Sequence, residues 1–136
     1  MNFKLNEILE RDSHYITNLK LCQVRIIDNS NYPWFILIPM KNNITEITDL
    51  NDSDYELFNY EVRKIAKFLQ KEFAPDKLNI ATIGNIVSQL HMHVIARFKD
   101  DKLFPKPVWG HEFVRYEDDV LKLTIDMLRG KLEKMG

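Results

Sequence analysis

The chain has 136 residues, a common size for one domain, and 45% of them are hydrophobic, so it can bury a core and is neither disordered nor collagen-like. The 19 basic and 20 acidic side chains give a formal net charge of −1 without a basic run, which argues against a protein that wraps DNA. Cys22 is the single cysteine, and the longest apolar stretch, residues 34–40, is too short to cross a bilayer. We therefore expect one soluble, cytoplasmic domain over residues 1–136 that does not bind membranes.

The first half of the chain predicts a hairpin. Residues 5–12 have a weak helical pattern, and residues 21–28 then form an apolar run. Turn-forming residues separate this run from a second one at residues 34–38, which predicts two antiparallel strands. The second run is apolar at every position, so we expect it to be buried on both faces.

A long helix is predicted next, capped by Asn51 or Ser53 and stopped by Pro75. Its apolar residues recur every three or four positions and draw one stripe toward the sheet: Phe58, Val62, Ile65, Leu69 and Phe73.

The remaining elements complete an α+β pattern. Strands are predicted over residues 78–83 and 86–98, separated by a bend at Gly84. An irregular loop with two prolines follows, and residues 121–132 form a C-terminal amphipathic helix. Hairpins combined with two helices favour an antiparallel sheet over a wound parallel one.

Residues 86–98 hold the side chains with the clearest chemistry. Alternation along a strand places Gln89, His91, His93 and Arg97 on one face, which we expect to be the wetter one, and apolar residues on the other. The two histidines could be structural, or could bind a metal together with His14, His111, Asp100 or Asp101.

Catalysis is the third interpretation of these histidines. A neutral imidazole can attack phosphorus and form a phosphohistidine, while a second imidazole binds a phosphate oxygen or protonates the leaving group. The spacing of His91 and His93 alone leaves all three interpretations open.

The segment Gln-Leu-His-Met-His-Val-Ile at residues 89–95 resembles the histidine triad (HIT) motif, with glutamine in place of the first histidine. Three further segments, at residues 32–39, 78–81 and 107–110, are similar to those of small bacterial members of this superfamily and occur in the same order. The resemblance covers nearly the whole chain. It implies a HIT-like α+β fold with an antiparallel sheet of about five strands, one long helix and a C-terminal helix.

The resemblance also implies a function. HIT proteins hydrolyse or transfer nucleotides at the α-phosphate of dinucleoside polyphosphates, nucleoside phosphoramidates and adenylated groups. His91 corresponds to the nucleophile that forms a nucleotidyl-histidine, and His93 to the residue that contacts the α-phosphate and the leaving group. Gln89 can form hydrogen bonds but cannot carry a proton, so the alternative is a purine-nucleotide-binding module with weak or no turnover. Repair of adenylated nucleic-acid ends is disfavoured by the balanced charge.

The nucleotide-binding residues are likewise implied by the resemblance. Asp28 corresponds to a residue that holds the ribose hydroxyls, although it could instead be a turn residue. Ile26 and Ile27 are expected to contact the base, and Asn79 and Asn85 the phosphates. Three further positions have open roles. Arg97 could contact phosphates or pair with Asp100 or Asp101. Trp34 stands where several relatives have histidine and could be a core residue or stack on a base, and Ile86 stands where relatives often have Ser or Thr.

Cofactor and partner expectations follow from the same resemblance. The mechanism requires no cofactor and no metal site, although a divalent cation can accompany the substrate. The expected partners are a small nucleotide and a second copy of the chain in a homodimer, whereas nucleic acid is unlikely.

Overall fold

The computed structural model describes residues 2–135, which contain one five-stranded sheet in the order β1-β2-β3-β5-β4. All neighbouring strands are antiparallel. The elements in chain order are α1 (Glu7–Asp12), β1 (Ser13–Asn18), β2 (Cys22–Ile27), β3 (Trp34–Pro39), a 3-10 turn (Ile47–Asp49), α2 (Asp52–Phe73), β4 (Lys77–Ala81), β5 (Met92–Arg97) and α3 (Asp118–Lys134). The predicted α+β fold with five strands, a long helix and a C-terminal helix is confirmed.

The long helix α2 begins and ends as the sequence predicts. The Asn51 side chain caps it by accepting a hydrogen bond of 2.8 Å from the backbone N–H of Asp54. Ala74 follows its last turn in the left-handed conformation, just before Pro75.

The strands differ from the predicted ones in two places. Strand β1 was not predicted, because it is a mostly polar edge strand that pairs only with β2 and is interrupted by an irregularity between Tyr15 and Thr17. The predicted strand over residues 86–98 begins only at Met92. Residues 86–91 leave the sheet: the backbone N–H of Leu90 donates to the Ile44 carbonyl, and the side chain of Ile86 is 90% exposed.

The sheet separates two apolar cores. One core joins alternate sheet residues such as Ile26, Phe35 and Val94 to helices α2 and α3. The second core contains Ile27 and Trp34, and residues of α1 and of the segment after β5 cover it. Every residue of β3 is buried, which confirms the prediction that this strand is covered on both faces.

A buried carboxylate connects α2 to the turn between β1 and β2. Glu61 is 3% exposed and accepts hydrogen bonds from the backbone N–H groups of Leu21 and Cys22, at 3.0 and 2.8 Å. These bonds satisfy donors that would otherwise be buried without a partner. Within residues 2–135, no helix is both long and apolar enough to cross a membrane.

Candidate active site

A cavity of about 360 Å³ opens over the second core. Its floor is formed by the sheet, one wall by α1 and residues 83–87, and the other by the segment after β5. Gly84 has a positive φ of 71°, which turns the chain from β4 into the first wall and confirms the predicted bend. The lining contains both histidines of the motif, together with Ile8, Leu9, Asp12, Ile27, Trp34, residues 83–87, residues 108–111 and Phe113.

The motif histidines lie side by side in this cavity. His93 is in β5 and His91 precedes it, and their ring centroids are 4.9 Å apart. Each is only 6% exposed, so the expectation of a wet histidine face is wrong. The aromatic walls and the second core shield both rings from water, which an alternating strand pattern could not reveal.

A hydrogen bond of His91 defines which of its ring nitrogens carries the hydrogen. Its Nδ1 lies 2.7 Å from the backbone carbonyl oxygen of Gln89. Because a carbonyl only accepts, Nδ1 carries the hydrogen and Nε2 of the neutral ring keeps its lone pair. Burial lowers the pKa of His91, and the carbonyl of Gln89 opposes this only in part. The ring is therefore a neutral base with a free lone pair.

His93 has a different partner. The indole N–H of Trp34 donates to its Nδ1 at 2.9 Å. Burial, followed by the neighbouring His91, lowers the pKa of His93 to about 3. His93 is therefore neutral throughout the physiological pH range.

Aromatic side chains surround the histidine pair. The Trp109 ring lies edge-on to His93 with centroids 5.2 Å apart, and Phe113 packs against Trp34 at 5.7 Å. The buried Nε1 of Trp109 has no hydrogen-bond partner among residues 2–135. These rings offer an apolar surface to a planar ligand.

The Gln89 side chain lies outside the cavity lining. Its Oε1 accepts from the backbone N–H of Asn6 at 2.8 Å, and its Nε2 donates to the Lys4 carbonyl at 3.0 Å. Gln89 therefore holds the segment before α1, while its own backbone carbonyl orients His91.

Asp28 contacts the C-terminal part of the chain. Its carboxylate accepts from the backbone N–H of Tyr116 and from Arg115, both at 2.9 Å, and lies 3.2 Å from Nε2 of His14. Burial alone would raise the pKa of Asp28, but these three contacts lower it. The two isoleucines beside it are separated by the sheet: Ile27 lines the cavity and Ile26 is buried in the opposite core.

Arg97 and Asn79 also lie outside the cavity lining. The Arg97 guanidinium is 1% exposed, donates to both carboxylate oxygens of Asp101 at 2.8 and 3.0 Å, and donates to Asn79 at 2.9 Å. Burial opposes ionisation of Asp101, but Arg97 and the backbone N–H groups of Phe98, Phe104 and Leu103 lower its pKa to about 2. Besides His93, one residue expected to contact phosphates lines the cavity, namely Asn85.

Several lining residues were missed by sequence reasoning. Asp12 reaches the cavity because α1 ends there, and the weak helical pattern gave no sign of it. Trp109 comes from the segment after β5, for which the Pro-Val-Trp-Gly sequence at residues 107–110 was the available signal. His111, considered above only as a possible metal ligand, also lines the cavity. Across residues 2–135, no three His, Cys, Asp or Glu side chains are grouped as metal ligands.

Two buried histidines lie in and directly before strand β5 of the antiparallel sheet, and this arrangement agrees with a family match. The family model described as "HIT domain" matches residues 9–100, and the chain belongs to this family. It is similar to a histidine triad protein from Bradyrhizobium japonicum, with 34% identity, coverage of 97% of this chain and 99% of that chain, and a TM-score of 0.92. It is also similar to a histidine triad protein from Marinobacter aquaeolei VT8, with 32% identity, coverage of 100% of both chains and a TM-score of 0.94.

A more distant structure shares the fold. The Plasmodium falciparum diadenosine triphosphate hydrolase is 15% identical, with coverage of 98% of this chain and 84% of that chain and a TM-score of 0.70. No curated protein sequence gives a significant match.

Proposed function

We propose that the protein hydrolyses or transfers a nucleoside monophosphate unit by way of a covalent nucleotidyl-His91. The substrates are dinucleoside polyphosphates, nucleoside phosphoramidates or similar adenylated compounds, attacked at the α-phosphate. The observation that carries this proposal is a neutral His91 whose Nδ1 is held by the Gln89 carbonyl, inside a cavity shared with a second imidazole. Family membership and the fold shared with a diadenosine triphosphate hydrolase support the same chemistry.

The first step uses the Nε2 lone pair of His91. It forms an N–P bond to the α-phosphorus while the bond from phosphorus to the leaving group breaks, and the leaving group departs with the bonding electron pair. Nδ1 keeps its hydrogen and continues to donate it to the Gln89 carbonyl, which stabilises the positive charge of the modified ring.

The second step regenerates the enzyme. Water attacks phosphorus, the N–P bond breaks, and its electron pair returns to Nε2 of His91. The nucleoside monophosphate leaves with the water oxygen, and the released proton passes to solvent. In transfer, another nucleophile takes the place of water.

Nucleotide contacts are proposed from the cavity lining. Ile27 and Phe113 offer apolar surface to the base, and Asn85 offers an amide to the phosphates. The expected ribose contact of Asp28 requires that its carboxylate exchange the contact with Arg115 for a hydroxyl group. Phosphate contacts by Asn79 and Arg97 similarly require that their buried hydrogen bonds rearrange.

The alternative is a nucleotide-binding module without turnover. The position of Gln89 favours it, because a side chain bound to Lys4 and Asn6 neither reaches the cavity nor carries a proton.

The two candidates are separated by incubation with diadenosine polyphosphates and adenosine phosphoramidates. We expect the wild type to release nucleoside monophosphate and to give a nucleotidyl-protein adduct in acid-free mass spectrometry, and His91→Ala to do neither. The folding of His91→Ala is checked by its urea midpoint. Equal release by both proteins contradicts the enzyme proposal, whereas tight monophosphate binding in calorimetry without turnover supports the binding module.

Two further proposals concern partners. We expect the functional unit to be a homodimer, which light scattering of the purified protein tests directly. We also expect chelation followed by dialysis to leave the protein competent, because a divalent cation accompanies the substrate and is not bound by the free protein. A chelated protein that recovers activity only after preincubation with metal contradicts this.

A further inference from the structure

Trp34 and His93 are diagonal neighbours on one face of the sheet. In the register of β3 and β5, Trp34 is opposite Ile95 and Ile36 is opposite His93. Side chains at such diagonal positions lie within reach of an aromatic ring. The resulting contact is a hydrogen bond of 2.9 Å between two side chains that are 2% and 6% exposed.

The direction of this hydrogen bond is fixed by the chemistry of indole. Its N–H can only donate, so Nδ1 of His93 must offer a lone pair. A proton on Nδ1 would place two N–H groups against each other in a site that excludes water. The hydrogen of a neutral His93 is therefore on Nε2.

The two histidines consequently have opposite tautomers. The Gln89 carbonyl places the hydrogen of His91 on Nδ1, and the Trp34 indole places that of His93 on Nε2. Nε2 of His93 has no protein hydrogen-bond partner within residues 2–135, so it is free to donate to a ligand. One ring thus presents a lone pair and the other an N–H.

We propose that Trp34 is a positioning residue that fixes His93 as the neutral Nε2–H tautomer, so that His93 donates a hydrogen bond to the substrate phosphate and leaves nucleophilic attack to His91. Only the second half of this statement rests on the proposed function, because the tautomer is a property of the free protein. Trp34 acts through His93, and its effect depends on one N–H group rather than on the bulk of the indole.

The tautomer is measured without substrate by long-range ¹H–¹⁵N correlation spectra of the histidine rings. In the wild type we expect a protonated Nε2 and an unprotonated Nδ1 for His93, and the reverse for His91. In Trp34→Phe the donor is lost, so the two nitrogen shifts of His93 move toward each other as the tautomers mix. The His91 signals in the same spectrum report whether the site is still folded.

Trp109→Phe is the matched control for the spectra. It makes the same substitution at the other indole that contacts His93, but the N–H of Trp109 has no partner within residues 2–135. We expect the His93 tautomer to be unchanged in this variant. A wild-type His93 with its hydrogen on Nδ1 overturns the proposal, as does an unchanged tautomer in Trp34→Phe or an equal change in Trp109→Phe.

Kinetic measurements test whether His93 donates a hydrogen bond to the substrate phosphate. If the protein turns over substrate, we expect Trp34→Phe to lower kcat about tenfold with little change in KM, the size of one lost hydrogen bond in the transition state. A rise in KM at constant kcat contradicts a role in the transition state. If the wild type shows no turnover, the proposed function fails and the spectra still decide the tautomer.

Discussion

His91 and His93 differ by two positions in sequence and by their hydrogen-bond partners in space. A backbone carbonyl holds one and an indole N–H holds the other, and burial lowers the pKa of both. The motif therefore supplies two imidazoles in different hydrogen-bonding environments.

A pH profile follows from the lowered pKa of His91. The proposed nucleophile must be unprotonated, so we expect activity to persist as the pH falls through 6.5, the ordinary histidine value, and to be lost only at lower pH. The measurement is kcat/KM between pH 5 and 8 with a diadenosine polyphosphate, whose internal phosphates do not titrate in this range. A decline centred at pH 6.5 in wild type contradicts the expectation.

The buried pair of Arg97 and Asp101 is expected to contribute to stability. Asp101→Asn leaves the guanidinium, 1% exposed, without its counter-charge, and we expect unfolding to require about 3–5 kcal/mol less free energy. Urea denaturation measures this.

Asp126→Asn is the matched control for that prediction. It makes the same substitution in an exposed pair with Arg129, where side chains are 59% and 36% exposed, and we expect a change of at most about 1 kcal/mol. Equal effects of the two variants would show that burial does not matter here.

The residues proposed to act in catalysis could be named from the sequence, but their contacts could not. His91 and His93 follow from a local pattern. Asp28 contacts Arg115, which is 87 positions away, and Gln89 contacts Asn6, which is 83 positions away. A single sequence contains no signal for pairs at such separations.

At the scale of elements, periodicity predicted α2 and the β2–β3 hairpin because their apolar faces are repeated over many residues. It failed for β1, a short edge strand of mostly polar residues without a regular apolar alternation. It also extended β5 too far, since residues 86–91 alternate like a strand but lie outside the sheet, where Ile86, Val87 and His91 line the cavity.

Glu61 is expected to hold the β1–β2 turn on α2. Glu61→Ala leaves two buried N–H groups without an acceptor, and we expect the free energy of unfolding to fall by about 2–3 kcal/mol. Glu56→Ala, in an exposed position of the same helix, should change it by less than about 0.5 kcal/mol. Urea midpoints of the two variants test this, and similar midpoints would contradict it.

At the scale of the whole molecule, the buried neutral histidines make stability depend on pH. Below pH 6.5, His93 binds a proton in the unfolded chain but stays neutral in the folded protein. The free energy of unfolding therefore falls as the pH drops from 6.5 toward about 3. Asp101 acts in a lower window: its contribution is lost between its ordinary pKa of 3.8 and about 2.

His93→Gln tests the upper window, because glutamine can still accept from Trp34 but does not titrate. We expect the variant to lose up to about 1.4 kcal/mol per pH unit of the wild-type slope between pH 6 and 4.5, measured by urea unfolding. An identical slope in both proteins would assign the acid sensitivity to other groups.

The cavity wall after β5 is held by packing in the second core and by hydrogen bonds to the chain between β2 and β3. The backbone N–H and the hydroxyl group of Ser30 both donate to the Val114 carbonyl, and the Asp28 carboxylate accepts from Arg115 and from the backbone N–H of Tyr116. His93 belongs to β5 and His91 directly precedes this strand, whereas Trp109 and Phe113 belong to the wall after it. Reactivity and shape are thus encoded in separate stretches of the chain. We therefore expect that exchanging residues 107–114 for those of a relative changes the nucleotide preference of the proposed enzyme while leaving the reactivity of His91 unchanged.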